Sequence, residues 1–293
     1  MKPNVFIVGY KGQLGTELRA RLEKNDDYTT LFVDRDELDI TNEKAVQDFF
    51  ARNPVNYCIN CAAYTDVEGA EKNEEAARVL NAAAVGILAR ACRQADAILF
   101  HVSTDFVFDG RTDTPYTEQD TPNPLSVYGQ TKLEGEHKAF QHNPKTVVIR
   151  TAWLYSPYGK NFVKTMLRLG SERQSIDVVC DQVGSPTYAG DLADALVSMI
   201  KSCGKKSLEE LEFVYGTYHV TNSGSTSWYE FSKTIMEYAG LRCCVQPIEA
   251  KHFPSVVKRP SFSVLNTSKI QRVFGIIPPD WRASLRQCIQ KMI

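Results

Sequence analysis

The sequence lacks any apolar run near the roughly 18 residues that a membrane-crossing helix needs, so no membrane partner is expected. It also lacks a long basic run. Lys and Arg number 34 against 35 Asp and Glu, a formal net charge of -1, and nucleic acid is not expected as a partner either. Histidine is scarce, five residues scattered along the chain, so no His cluster completes a metal set. The apolar run Val5–Val8 is too short for a signal-peptide core and leads straight into a glycine-rich turn, which points to a cytoplasmic protein. No internal repeat or low-complexity tract is present.

Eight cysteines in 293 residues do not make a disulfide framework, and a chain of this length buries a large core without one. Cys58-x-x-Cys61 lies in NYCINCAAY, which reads as a buried strand, so both are read as inert thiols. His101 in ILFHVS is read as a packed core residue.

The first half alternates strand and helix patterns. Strands are expected at Asn4–Val8, Thr29–Val33, Tyr57–Cys61, Ala97–Ser103 and Thr146–Arg150. Helices are expected at about 12–24, 43–52, 73–95 and 127–141. Continuous apolar strands alternating with helices predict an α/β fold, a parallel sheet covered on both faces. The second half is more irregular. Strand-like pieces fall at Ile176–Val179 and Tyr218–Thr221, and helical patterns at about 191–200, 228–239 and 281–292. Ser227-x-x-Glu230 fits a capping box. Gly184, Pro186, Pro247, Pro254, Pro260 and Pro278-Pro279 punctuate the region, which predicts a smaller domain of shaped loops. Residues 1–150 are read as a dinucleotide-binding domain, completed by about 176–222. Residues 151–175 and 223–293 are read as a substrate-binding domain.

Gly9-Tyr10-Lys11-Gly12-Gln13-Leu14-Gly15 follows the first strand and opens the first helix. Its spacing is G-x-x-G-x-x-G. Glycines there allow a tight turn and close backbone approach to a pyrophosphate, which the helix N-terminus attracts. Strand two ends at Asp34-Arg35. The acid suits a ribose hydroxyl and the arginine a 2′-phosphate, so NADH and NADPH both stay open.

Tyr128 and Lys132 stand four apart in a helical pattern and share a face. A nearby ammonium is expected to lower the phenol pKa and make it a working acid–base group. Ser103-Thr104-Asp105 closes the fourth strand, where a hydroxyl faces the ligand crevice. It can hold a carbonyl while a phenol delivers the proton.

These residues resemble the extended short-chain dehydrogenases and, within them, the dTDP-4-dehydrorhamnose reductase family. The resemblance covers essentially the whole chain. It is carried by GYKGQLG (9–15), LDIT (38–41), NCAAYTDVEGAE (60–71), STDFVFDG (103–110), YGQTK (128–132), RTAWLY (150–155), NFV (161–163), DQVGSPTY (181–188) and RPSFSVL (259–265).

The resemblance implies a Rossmann-like doubly wound sheet and NADPH- or NADH-dependent reduction of a nucleotide-sugar ketone. Thr104, Tyr128 and Lys132 would be the catalytic set. Asp39, Ile40, Ala62, Ala63 and Tyr64 would join the glycine turn against the cofactor. Asp105, Phe106, Trp153, Asn161, Phe162 and Arg259 would meet the substrate. Family members bridged into dimers by magnesium use glutamates near the first helix and the C-terminus. Glu17 fits the first position, but Gln290–Ile293 supplies no acid, which argues against magnesium while leaving a homodimer open. Two other readings stand beside this one. One is a regulatory subunit resembling that of methionine adenosyltransferase. The other is a reductase or epimerase of another nucleotide-sugar.

Overall fold

The computed structural model describes residues 2–293. Its centre is a six-stranded parallel sheet. Five strands come from the first half: β1 (Asn4–Val8), β2 (Thr29–Val33), β3 (Tyr57–Asn60), β4 (Ile98–Thr104) and β5 (Thr146–Thr151). The sixth, Gly216–His219, pairs with β5, and the order across the sheet is Gly216–His219, β5, β4, β3, β1, β2. The order reverses between β1 and β3. In doubly wound sheets ligands bind at such a point, outside the carboxyl ends of the strands.

Both faces of the sheet are covered because its strands are apolar on both sides. Along β1, Val5 and Ile7 enter one core with Leu18 and Leu22 of α1 (Gln13–Leu22). Phe6 and Val8 point the other way, into a core with Val46 of α2 (Glu43–Arg52). That core also holds Leu88 and Cys92, from the helix expected over 73–95. This stretch is built in pieces: after α3 (Val67–Lys72), α4 (Glu74–Arg78) passes through one π turn, Val79–Ala83, into α5 (Ala84–Gln94). The next helix, α6 (Val127–His142), packs beside α5 and is capped by Ser126, whose side chain accepts from the Gly129 N–H.

Beyond these two cores, a third cluster gathers around Tyr155, Phe231 and Trp281. Ser175–Val179 belongs here. It pairs in parallel with Cys244–Ile248 and not with the central sheet; the chain returns to the core of that sheet through Ala189–Cys203, Gly216–His219 and the helix Ser268–Phe274. Ser227 caps Trp228–Tyr238 by accepting from the Glu230 N–H, which is half of the expected box. The full reciprocal box is formed at Ser207 and Glu210. Among the described residues, no helix is long and apolar enough to cross a membrane.

Candidate active site

A crevice of about 1080 Å³ opens at the carboxyl ends of β1, β3, β4 and β5. One end is the glycine turn. Gly9 has φ +80°, and a Cβ there would stand 2.8 Å from the Ala62 nitrogen. A Cβ on Gly15 would collide with the Gly9 carbonyl oxygen and the Tyr10 backbone. Gly12 precedes α1 without a side-chain cap, and no acid stands in the first turn. Gly12, Gln13, Leu14 and Gly15 line the crevice there, so the open N–H groups and positive dipole end of α1 suit a diphosphate.

Asp34 and Arg35 line the wall beyond β2. Both Asp34 carboxylate oxygens are engaged by backbone: Oδ2 accepts from the Lys11 N–H at 3.2 Å, and Oδ1 from the Arg35 N–H at 2.8 Å. Arg35 is exposed, and its guanidinium makes no hydrogen bond or ion pair among the described residues. Its charge helps hold Asp39 below the usual carboxylate range, after the larger effect of the Thr41 hydroxyl and N–H. Asp39 and the buried Ile40 line the same wall.

Ala62, Ala63 and Tyr64 form the opposite wall. Two buried asparagines hold this loop. Asn60 Oδ1 accepts from the Ala62 N–H at 3.1 Å, and its amide faces His101 Nδ1 at 3.2 Å. Burial drives His101 well below its ordinary pKa, so it is a neutral core residue. Asn81, on the π turn, accepts from the Tyr64 N–H at 2.7 Å and donates to the Tyr64 carbonyl at 3.1 Å. Sequence reasoning passed over Asn81. A lone amide in the apolar run ARVLNAAAVG was the available signal. Cys61 lines the crevice as a free thiol, with burial pushing its pKa up, and Cys58 is free and buried.

Thr104, Tyr128 and Lys132 meet where β4 faces α6. The Lys132 ammonium donates to the Val102 carbonyl at 2.7 Å, and burial lowers its pKa to about 8. The Tyr128 phenol is pushed up to about 12 by burial, against an opposing pull from Thr104. This corrects the expected lowering. With Lys132 turned to a backbone carbonyl, desolvation wins, and the phenol keeps its proton at neutral pH. Phe106 packs edge-on to the Tyr128 ring at 5.6 Å.

At the far end Trp153 lines the crevice with Trp228, their rings stacked 3.4 Å apart. Trp153 holds φ +47°, a costly conformation for a bulky residue, and a Cβ on Gly184 would press into its indole. Lys160, missed in the sequence, also lines this end and is exposed.

Three expected substrate residues stand off the crevice wall. Asn161 caps the helix Phe162–Glu172 and donates to Gln13 Oε1 at 2.9 Å. Phe162 packs among Trp228 and Phe231. Arg259 is tied to Glu68 at 3.0 Å.

Glu17 is buried, and both its oxygens are occupied. Oε1 accepts from the Tyr188 hydroxyl at 2.9 Å, and Oε2 from Arg21 at 2.7 Å. Lys291 reaches the same Tyr188 hydroxyl at 2.8 Å. A carboxylate whose two oxygens already hold an arginine and a tyrosine hydroxyl does not fit a divalent metal. Among the described residues, no group of three His, Cys, Asp or Glu could hold one.

The family model described as "RmlD substrate binding domain" matches residues 1–293. The dTDP-4-dehydrorhamnose reductase of Aggregatibacter actinomycetemcomitans is 40% identical over 288 residues, 96% of this chain and 97% of that protein. Two solved dTDP-4-dehydrorhamnose reductases superpose closely. That of Clostridium acetobutylicum has a TM-score of 0.92 at 39% identity, covering 99% of each chain. That of Bacillus anthracis, solved in complex with NADP, has a TM-score of 0.91 at 40% identity, covering 99% of this chain and 100% of that one. The chain therefore belongs to the RmlD substrate binding domain family, together with these dTDP-4-dehydrorhamnose reductases.

Proposed function

We propose that this chain reduces the C4 ketone of a dTDP-4-dehydrorhamnose-type nucleotide-sugar with NADPH, Tyr128 acting as proton donor. The observation that carries the reading is one crevice. It joins the glycine turn, the free Arg35 guanidinium and the Thr104/Tyr128/Lys132 set. Every residue that the resemblance assigns to the cofactor lines it. The names of the relatives supply the substrate class.

Bound at the glycine turn, the nicotinamide cofactor supplies the hydride. The chain supplies orientation and a proton. Tyr128, still protonated at neutral pH, gives its proton to the oxygen that gains charge at C4. Lys132 is anchored at Val102 and places a cation beside the ribose track. Trp153 and Trp228 form a flat apolar wall for the sugar end, and Lys160 stands ready for diphosphate charge. Asp34 is spent on backbone while Arg35 is free, which supports NADPH over NADH. The central sheet serves the cofactor, and residues 151–175 with 223–293 serve the substrate. Cytoplasmic residence accords with a cofactor-dependent reductase. The intact catalytic set favours an enzyme over a regulatory subunit.

The test follows NADPH absorbance with dTDP-4-dehydro-L-rhamnose. Tyr128→Phe should bind NADPH normally and lose about 10²–10⁴-fold in kcat. Near-parental turnover in that variant removes Tyr128 from the chemistry.

A further inference from the structure

The polar chain at the sheet edge does not end at Tyr128. Thr104 Oγ1 lies beside the phenol, donates to Asp105 Oδ1 at 3.1 Å and accepts from the Phe106 N–H at 3.2 Å. Asp105 is 2% exposed, and its Oδ2 finds no hydrogen-bond partner of sound geometry. Ser263, also buried, stands beside the carboxyl.

The direction of this chain depends on one proton. An ionised carboxylate only accepts. Thr104 must then point its proton at Asp105, and with one lone pair taken by Phe106 it can only accept from Tyr128. The phenol proton is held away from an incoming ketone. A protonated carboxyl can donate to Thr104, whose own proton then turns toward the substrate side. The phenol proton is released for the ketone oxygen.

We infer that Asp105 is a positioning residue whose protonation state sets the direction of the Asp105–Thr104–Tyr128 chain, and that only the protonated form aims Tyr128 at the substrate. The inference rests on the reading of Tyr128 as proton donor. In turnover the Tyr128 O–H bond breaks as the O–H bond on the sugar C4 oxygen forms. Water entering the emptied crevice returns a proton to the phenolate.

Burial pushes Asp105 up to about 6, against the pull of Ser263 and Thr104. The titratable group facing it from α6 is Tyr128, whose phenol it raises further. The nearby cations are directed elsewhere, Lys132 to Val102 and Arg150 to Glu136. The 261–265 segment contributes Ser263, which does not titrate.

The experiment is kcat/KM of the full chain from pH 5 to 9 with NADPH and the keto-sugar, for the parent, Asp105→Asn and Ser263→Ala. The parent should lose up to tenfold per pH unit above an alkaline limb near pH 6. In Asp105→Asn that limb should vanish, and in Ser263→Ala it should move to higher pH. NADPH binding by fluorescence verifies that each variant is folded. Should Asp105→Asn not bind NADPH, the Ser263→Ala shift decides. A level parental profile between pH 5 and 8 overturns the inference. So does a limb unchanged in Asp105→Asn or, where Ser263→Ala decides, in that variant. A parent that oxidises no NADPH at any pH instead overturns the reductase reading.

Discussion

Glu136 and Arg150 form a buried two-point ion pair directly behind the reactive face of α6, with Nη2 to Oε2 at 2.7 Å and Nε to Oε1 at 3.0 Å. Ser103, the neighbour of Thr104, donates to the same carboxylate at 2.5 Å. Glu136 lies one turn beyond Lys132, so the pair locks α6 to β4 and β5 at the point where Tyr128 and Lys132 must be held. Removing one partner strands a buried charge. Glu136→Ala should cost about 3–5 kcal/mol in urea unfolding. The double change Glu136→Leu with Arg150→Met should cost less than either single truncation. A single truncation that leaves the unfolding midpoint in place would show that the pair does not brace the site.

Coenzyme choice should turn on Arg35. A charge-assisted contact to a phosphate contributes about 1.5–3 kcal/mol. Arg35→Ala should therefore weaken NADPH binding by roughly 10- to 100-fold and leave NADH nearly unaffected. Titration of both coenzymes by fluorescence checks this. Equal losses for the two would take the 2′-phosphate away from Arg35.

Asp105 should be a stability liability. Its carboxyl is raised from 3.8 to about 6 on folding. The folded state holds the proton more tightly, so stability falls as pH rises from about 4 to 6 and stays reduced above that. Asparagine does not titrate. Asp105→Asn should gain up to roughly 3 kcal/mol over the parent at pH 7.5, with the gain shrinking at pH 4. Denaturant unfolding at the two pH values reads this directly. A constant difference between the variants would contradict it.

Glu17 has its charge met from inside the chain. Thermal midpoint and solution mass should be the same in EDTA and in millimolar magnesium, whether the protein runs as one copy or two. A midpoint that falls on chelation would place a divalent ion at this carboxylate after all.

Much of the site was legible because its demands are local. Gly9, Gly12 and Gly15 announce a tight turn by spacing alone, and Tyr128 and Lys132 share a helix face by the same arithmetic. Sequence spacing does not say where a flexible ammonium points. Lys132 reaches the Val102 carbonyl, and the phenol is governed by burial. Partner choice is tertiary as well. The apolar run Ile176–Val179 reads as a strand, yet nothing in it selects Cys244–Ile248 over the central sheet. Arg259 carries a mobile charge that settles on Glu68, some 190 positions away. Asn60 and Asn81 escaped notice because they act on backbone brought near only by folding.

Of the three tryptophans, Trp281 is sealed in the interior, while Trp153 and Trp228 stack face to face on the crevice wall. The molecule thus carries a built-in optical reporter. Indole emission divides into an enclosed source that binding leaves unchanged and a paired source that a sugar or a nicotinamide would quench on arrival. Occupancy of the crevice can be followed without a label, and Trp281 serves as the internal standard.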